Sequence, residues 1–159
     1  MDTRAMGQVA LGILVAGMAA CVTRTEARTS GMDSVAASMV VEQFLTAANS
    51  NDLDAMARAF GTDAGPWSTT VPIGERDERM FALASVLRFE DYELAGTGLV
   101  PGRRDVAMLI NVRMRFGRRD VVVPFTVVET ERWGWLVEKI DLEKITNPPP
   151  TQRGRRQRF

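Results

Sequence analysis

Residues 106–116, VAMLINVRMRF, decide the fold. Val106, Met108, Ile110, Val112, Met114 and Phe116 alternate with Ala107, Leu109, Asn111, Arg113 and Arg115. A period of two is that of a β-strand, with one side turned to a core and the other left half polar. Gly117-Arg118-Arg119 then reads as a hairpin turn, and Val121, Val123, Phe125 and Val127 supply the next apolar face, with Pro124 suggesting a bulge or an edge. A second turn at Arg132-Trp133-Gly134 returns the chain through Trp135, Val137 and Ile140. Upstream, residues 89–95 form a short candidate strand that ends at Gly96. About four strands, mainly antiparallel, therefore close the sequence.

The preceding stretch has helical spacing. Ala36, Met39, Val40, Phe44 and Ala47 form a stripe widened by Val41 and Leu45, opposite Ser38, Glu42 and Thr46, with Asp33 or Ser34 as the cap. Asp52 is the expected cap of a short second helix, whose Leu53, Met56, Ala57 and Phe60 share a face and which Gly61 closes. Residues 62–73, with two prolines and Trp67, read as a loop. Glu75, Asp77 and Glu78 suit the first turn of a third helix, whose apolar face is Met80, Leu83, Ala84 and Leu87. The fold class is α+β: three N-terminal helices packed on one face of a curved, mainly antiparallel sheet of about four strands.

Composition narrows the chemistry. The chain of 159 residues has no histidine and one cysteine. That removes the commonest general base near neutral pH, the His-activated nucleophiles, most zinc sites and any internal disulfide. Twenty basic residues balance twenty acidic ones, so the overall charge does not point to nucleic acid. The balance conceals an asymmetry. Residues 33–146 carry eighteen acids against thirteen bases, whereas 147–159 hold Arg153, Arg155, Arg156 and Arg158 and no acid. After Pro148-Pro149-Pro150 that tail lacks periodic apolar residues and reads as disordered. Its arginines suit an anionic lipid surface or another anionic envelope component, at roughly 1 kcal/mol each near a charged surface, or serve only solubility.

The N-terminus reads as an export signal. Asp2, Arg4 and the terminal amine precede an unbroken apolar run over residues 9–20. That run is shorter than the roughly 20 residues of a membrane span and fits the core of a signal peptide. Gly17-Met18-Ala19-Ala20 leads directly to Cys21. This arrangement resembles the bacterial lipoprotein signal, although Met18 stands where leucine is usual. The resemblance implies cleavage before Cys21, acylation of its thiol, and a protein tethered to a membrane in the bacterial envelope, facing the periplasm or the exterior. An ordinary signal peptide with an incidental Cys21 is the alternative. Residues 1–20 are thus the signal, 21–32 a polar, flexible tether, 33–146 the domain and 147–159 the tail.

The opening pair of helices, VVEQFLTAANSNDLDAMARAF, and the closing strand GWLVEKI resemble the nuclear transport factor two-like superfamily, over about 33–145. The resemblance implies a cone-shaped α+β fold with a pocket between helices and sheet, and often a homodimer through the sheet. It implies no single activity. In this chain Leu109, Val122 and Val128 make the outward sheet face more apolar than solvation requires, consistent with such a contact.

The inward positions are nearly all apolar, so no catalytic residue, cofactor or metal site is assigned. Asn111, Arg113 and Arg115 face outward in this register, which a one-residue slip would reverse. Trp67, Tyr92 and Arg113 are the candidate ligand-binding residues, and Cys21 the lipid attachment site. For each the plainer reading is packing or solvation: Trp67 folding back on the domain, Tyr92 on an acidic edge with Glu90, Asp91 and Glu93, and Arg113 solvated beside Arg115, Arg118 and Arg119. The expected function is a tethered, non-enzymatic domain that binds a small apolar ligand or an envelope protein. The rival is a small exported hydrolase or isomerase using a carboxylate such as Asp105, Asp77 or Glu90 at the cone mouth.

Overall fold

A computed structural model describes residues 23–147. The signal segment, Cys21 and the arginine tail lie outside the described residues. Helix α1 spans Thr23–Ser50, so it starts upstream of Asp33 and Ser34, which lie within it and do not cap it, and takes in most of the segment expected as a tether. Its buried side is Ala37, Val40, Val41, Phe44, Leu45, Ala47 and Ala48. The stripe is therefore rotated from the expected one: Ala36 is exposed and Met39 is 52% exposed. No helix among the described residues is long and apolar enough to cross a membrane.

Asn51, at φ 53°, turns the chain out of α1. Asp52 then caps α2 (Leu53–Ala59), its carboxylate accepting from the Ala55 N–H at 2.9 Å. Gly61 does not close this helix. Phe60 is already extended, and Gly61 opens a small hairpin of β1 (Gly61–Thr62) and β2 (Gly65–Pro66). A Cβ on Gly61 would lie 2.3 Å from the Gly65 carbonyl oxygen and 2.7 Å from the Pro66 Cα, so the approach of the two backbones requires glycine here. The expected loop 62–73 also contains one helical turn, α3 (Trp67–Thr70). Helix α4 (Ile73–Val86) follows, burying Met80 and Ala84, with Leu87 buried just beyond its end and Leu83 half-buried.

The strands β3 (Asp91–Leu99), β4 (Ala107–Phe116), β5 (Arg119–Thr130) and β6 (Gly134–Ile140) form one antiparallel sheet in the order β3-β4-β5-β6. A short helix, α5 (Glu143–Thr146), ends the described chain. The architecture is α+β, with the main helices N-terminal to a four-stranded sheet. Strand β3 starts later and runs further than expected: it passes through Gly96 by bulging at Ala95, so that Leu94 faces Val112 and Gly96 faces Asn111. Gly117 at φ 61° followed by Arg118 makes the two-residue turn between β4 and β5, where Phe116 pairs with Arg119.

The inner face carries Ile110, Val112, Met114, Val123, Phe125 and Val127, packed with Phe44, Leu45, Met56 and Met80 from the helices in one core. Arg113 and Arg115 are exposed on the outer face, as the alternation predicts. Two expectations about β4 and β5 change. Val106 precedes β4 and is 47% exposed, and Val128, expected in an exposed apolar patch on the outward face, is 1% exposed. Val128 does face outward, opposite Ala107 and Leu136, and these three make a small buried cluster separate from the main core. Pro124 sits in an inner strand without a bulge of its own, paired with Asn111. Its carbonyl accepts from the Asp141 N–H at 3.0 Å, beyond the end of β6, so its missing N–H breaks no rung of the ladder.

Candidate functional site

The bulge between β5 and β6 falls at Glu138: Thr126 pairs with Lys139 and Val127 with Val137. A bulge re-aims the extra side chain. Glu138 meets Arg103 from the β3–β4 connection in two bonds, Nη1 to Oε2 at 2.6 Å and Nη2 to Oε1 at 3.0 Å. Hydrogen bonding to Glu138, then its charge, hold the Arg103 guanidinium above its ordinary pKa, opposed by burial and helped by Asp63 in the small hairpin. A raised arginine pKa stabilises the fold at all pH values below it, so the pair contributes evenly across the physiological range. The same connection is tied beside the outer cluster by the Glu129 N–H to the Val106 carbonyl at 2.9 Å. This pair fastens a loop and presents no reactive group.

A second constellation also escaped sequence reasoning. Arg76 on α4 is buried, with its Nε 2.8 Å from Asp77 Oδ1 and its Nη1 3.2 Å from Asp54 Oδ1. Asp54 in turn pairs with Arg58. A buried arginine is unusual unless paired, and here it joins α4 to the start of α2. No signal in the sequence distinguishes Arg76 from the solvated arginines.

The three candidate binding residues do not come together. Trp67 is half-buried, with its ring edge-on to Phe60 at 4.8 Å and the Arg79 guanidinium 5.3 Å from its centroid. It folds back on the domain. Arg113 lies on the outer sheet face, its Nη1 bonded to Glu93 Oε2 at 2.8 Å. Arg115 reaches Asp120 at 3.3 Å and Asp91 at 3.9 Å. Each arginine thus faces a carboxylate, and the pattern is a cross-strand charge ladder. Asp105 and Glu90 are exposed, and Asp77 is engaged by Arg76. No group of three or more His, Cys, Asp or Glu residues able to hold a metal occurs among the described residues.

Tyr92 is different. It stands opposite Met114, on the inner side of β3, edge-on to Phe89 at 5.6 Å. From there it borders an open groove of about 820 Å³, whose other walls are α1 from Met39 to Ser50, α2, and the Trp133 and Trp135 side chains at the start of β6. Two of the three tryptophans and the only tyrosine of the chain therefore line one groove. Trp133 lies beside Gly65, where a Cβ would come within 3.1 Å of its Nε1, and the Arg132 guanidinium lies 4.8 Å from its ring centroid. Thr130 fixes the turn beneath, accepting from the Trp133 N–H and donating to the Gly134 carbonyl, both at 2.9 Å. On α1, Glu42, Gln43, Thr46 and Ser50 add polar groups to the rim. From the sequence Trp133 reads only as part of a turn and Trp135 only as part of a strand. Their common side is visible once the hairpin is folded.

Compared with known proteins, the chain matches no family model, no curated protein and no solved structure.

Proposed function

We propose that the chain is a lipoprotein of the bacterial envelope, acylated at Cys21, whose domain is of the nuclear transport factor two-like type and binds a ligand or partner without transforming it. The order of two helices, a further helix and an antiparallel meander supports that fold type. The observation that carries the binding role is the aromatic groove between α1, α2 and β6. The groove is walled by helices and strands, but it lies outside the core that Phe44, Leu45, Ile110 and Phe125 fill. Concave sites with a few oriented polar groups are where proteins take up small molecules. Anchoring follows from the apolar run and Ala19-Ala20-Cys21, since several acyl chains on one residue hold a domain to a bilayer at about 0.8 kcal/mol per CH₂.

The test is intact-mass analysis of the full chain from membrane and soluble fractions of a bacterial host, beside Cys21→Ser. The expected result is a membrane-bound product beginning at Cys21 with added acyl mass, lost in the variant. A soluble wild-type chain without acyl mass would sink the tether.

A further inference from the structure

Resting on the binding role just proposed, we infer that the groove takes a neutral saccharide chain of β-1,4-linked pyranoses. The reasoning begins with what the walls reject. An acyl chain requires a closed apolar tunnel, because any polar group that it covers loses its water without gaining a partner. This groove is open and has Glu42, Gln43, Thr46 and Ser50 along its α1 wall. Among the charged side chains that line the groove, Arg58 is already paired with Asp54. Glu42 and Asp52 oppose an anion further.

The same walls accept a sugar. A pyranose with equatorial substituents has two faces of C–H groups and a rim of hydroxyls. The C–H face packs on an aromatic ring by dispersion, and the hydroxyls need donors and acceptors to the side. Trp133, Trp135 and Tyr92 offer the rings. Gln43 offers both a donor and an acceptor, and it makes no hydrogen bond among the described residues. The hydroxyls of Thr46 and Ser50 donate back to α1 carbonyls, at 2.8 Å to Glu42 and 3.0 Å to Thr46, which leaves their oxygens as acceptors. Trp133 is 41% exposed, so its ring is accessible to a sugar face. An open cleft also lets a chain of sugars extend beyond both ends.

The experiment titrates the purified full chain with cellotetraose and with tetra-N-acetylchitotetraose, read by tryptophan fluorescence and calorimetry, with laurate as the apolar comparison. At least one tetrasaccharide should saturate below about 10 mM, a weak but specific range. Gln43→Ala, at an exposed position, should weaken it by about three- to tenfold, the worth of one hydrogen bond. Trp133→Ala should weaken it by about tenfold or more, with circular dichroism checking the fold. Binding that ignores both variants would overturn the inference. Laurate binding without either sugar would overturn it while leaving the binding role intact. Silence with all three ligands would overturn the inference and leave the binding role to a protein partner.

Discussion

On the inner face of the sheet Ile110, Val112, Val123, Phe125 and Val127 are each at most 1% exposed, while the same strands turn Arg113, Arg115 and Val122 to solvent on the outer face. The centre of the inner face is apolar. The outer face is a ladder of opposite charges, Glu93 to Arg113 and Arg115 to Asp120, with one small apolar island at Ala107, Val128 and Leu136. The two sides therefore divide the labour. Burial supplies the stability, and the charges make a slip of one residue costly, because it would carry Arg113 and Arg115 into the core.

Three substitutions probe that division, each read as a urea midpoint. The largest effect is expected from Phe125→Ala on the inner face, about 3–5 kcal/mol, since α1 holds the surrounding core open and the cavity collapses little. An effect below that of the outer-face variants would remove the division altogether. Leu136→Ala, in the outer island, is expected to cost about 2 kcal/mol, at the low end for its type, because the neighbouring connection can settle into the gap. A loss equal to that of Phe125→Ala would show that the island belongs to the main core. Arg113→Gln should cost less than about 0.5 kcal/mol, and less again in 1 M salt, as befits an exposed pair. A loss above about 1 kcal/mol would assign the ladder a stabilising role beyond register.

Local rules made much of this legible in the sequence. The alternation over 106–116, the glycine turn after Phe116 and the Asp52 cap each rest on residues close in the chain, and each appears in the structure. What escaped depends on distant partners. Val128 has outward parity and is buried between Ala107 and Leu136, where the β3–β4 connection returns beside it. Gly61 resembles a helix stop until Gly65 approaches its backbone. Asp33 is a good cap that α1 passes over, since a cap residue permits a helix start without forcing one. The groove was half legible: Tyr92 was singled out from the sequence, whereas Trp133 and Trp135 join it only through tertiary structure.

The position of β6 has a consequence for how the chain reaches its folded form. The sheet is a meander of neighbouring strands, so its pairings are local and form quickly. Helix α1, however, packs against β4, β5 and β6, and Phe60 bridges to Val137, more than half of the described chain away. During synthesis part of the apolar side of α1 therefore waits uncovered until the last strand emerges. A chain halted before Gly134 would leave Val41, Phe44 and Phe60 without that part of their cover, in the state most prone to aggregate.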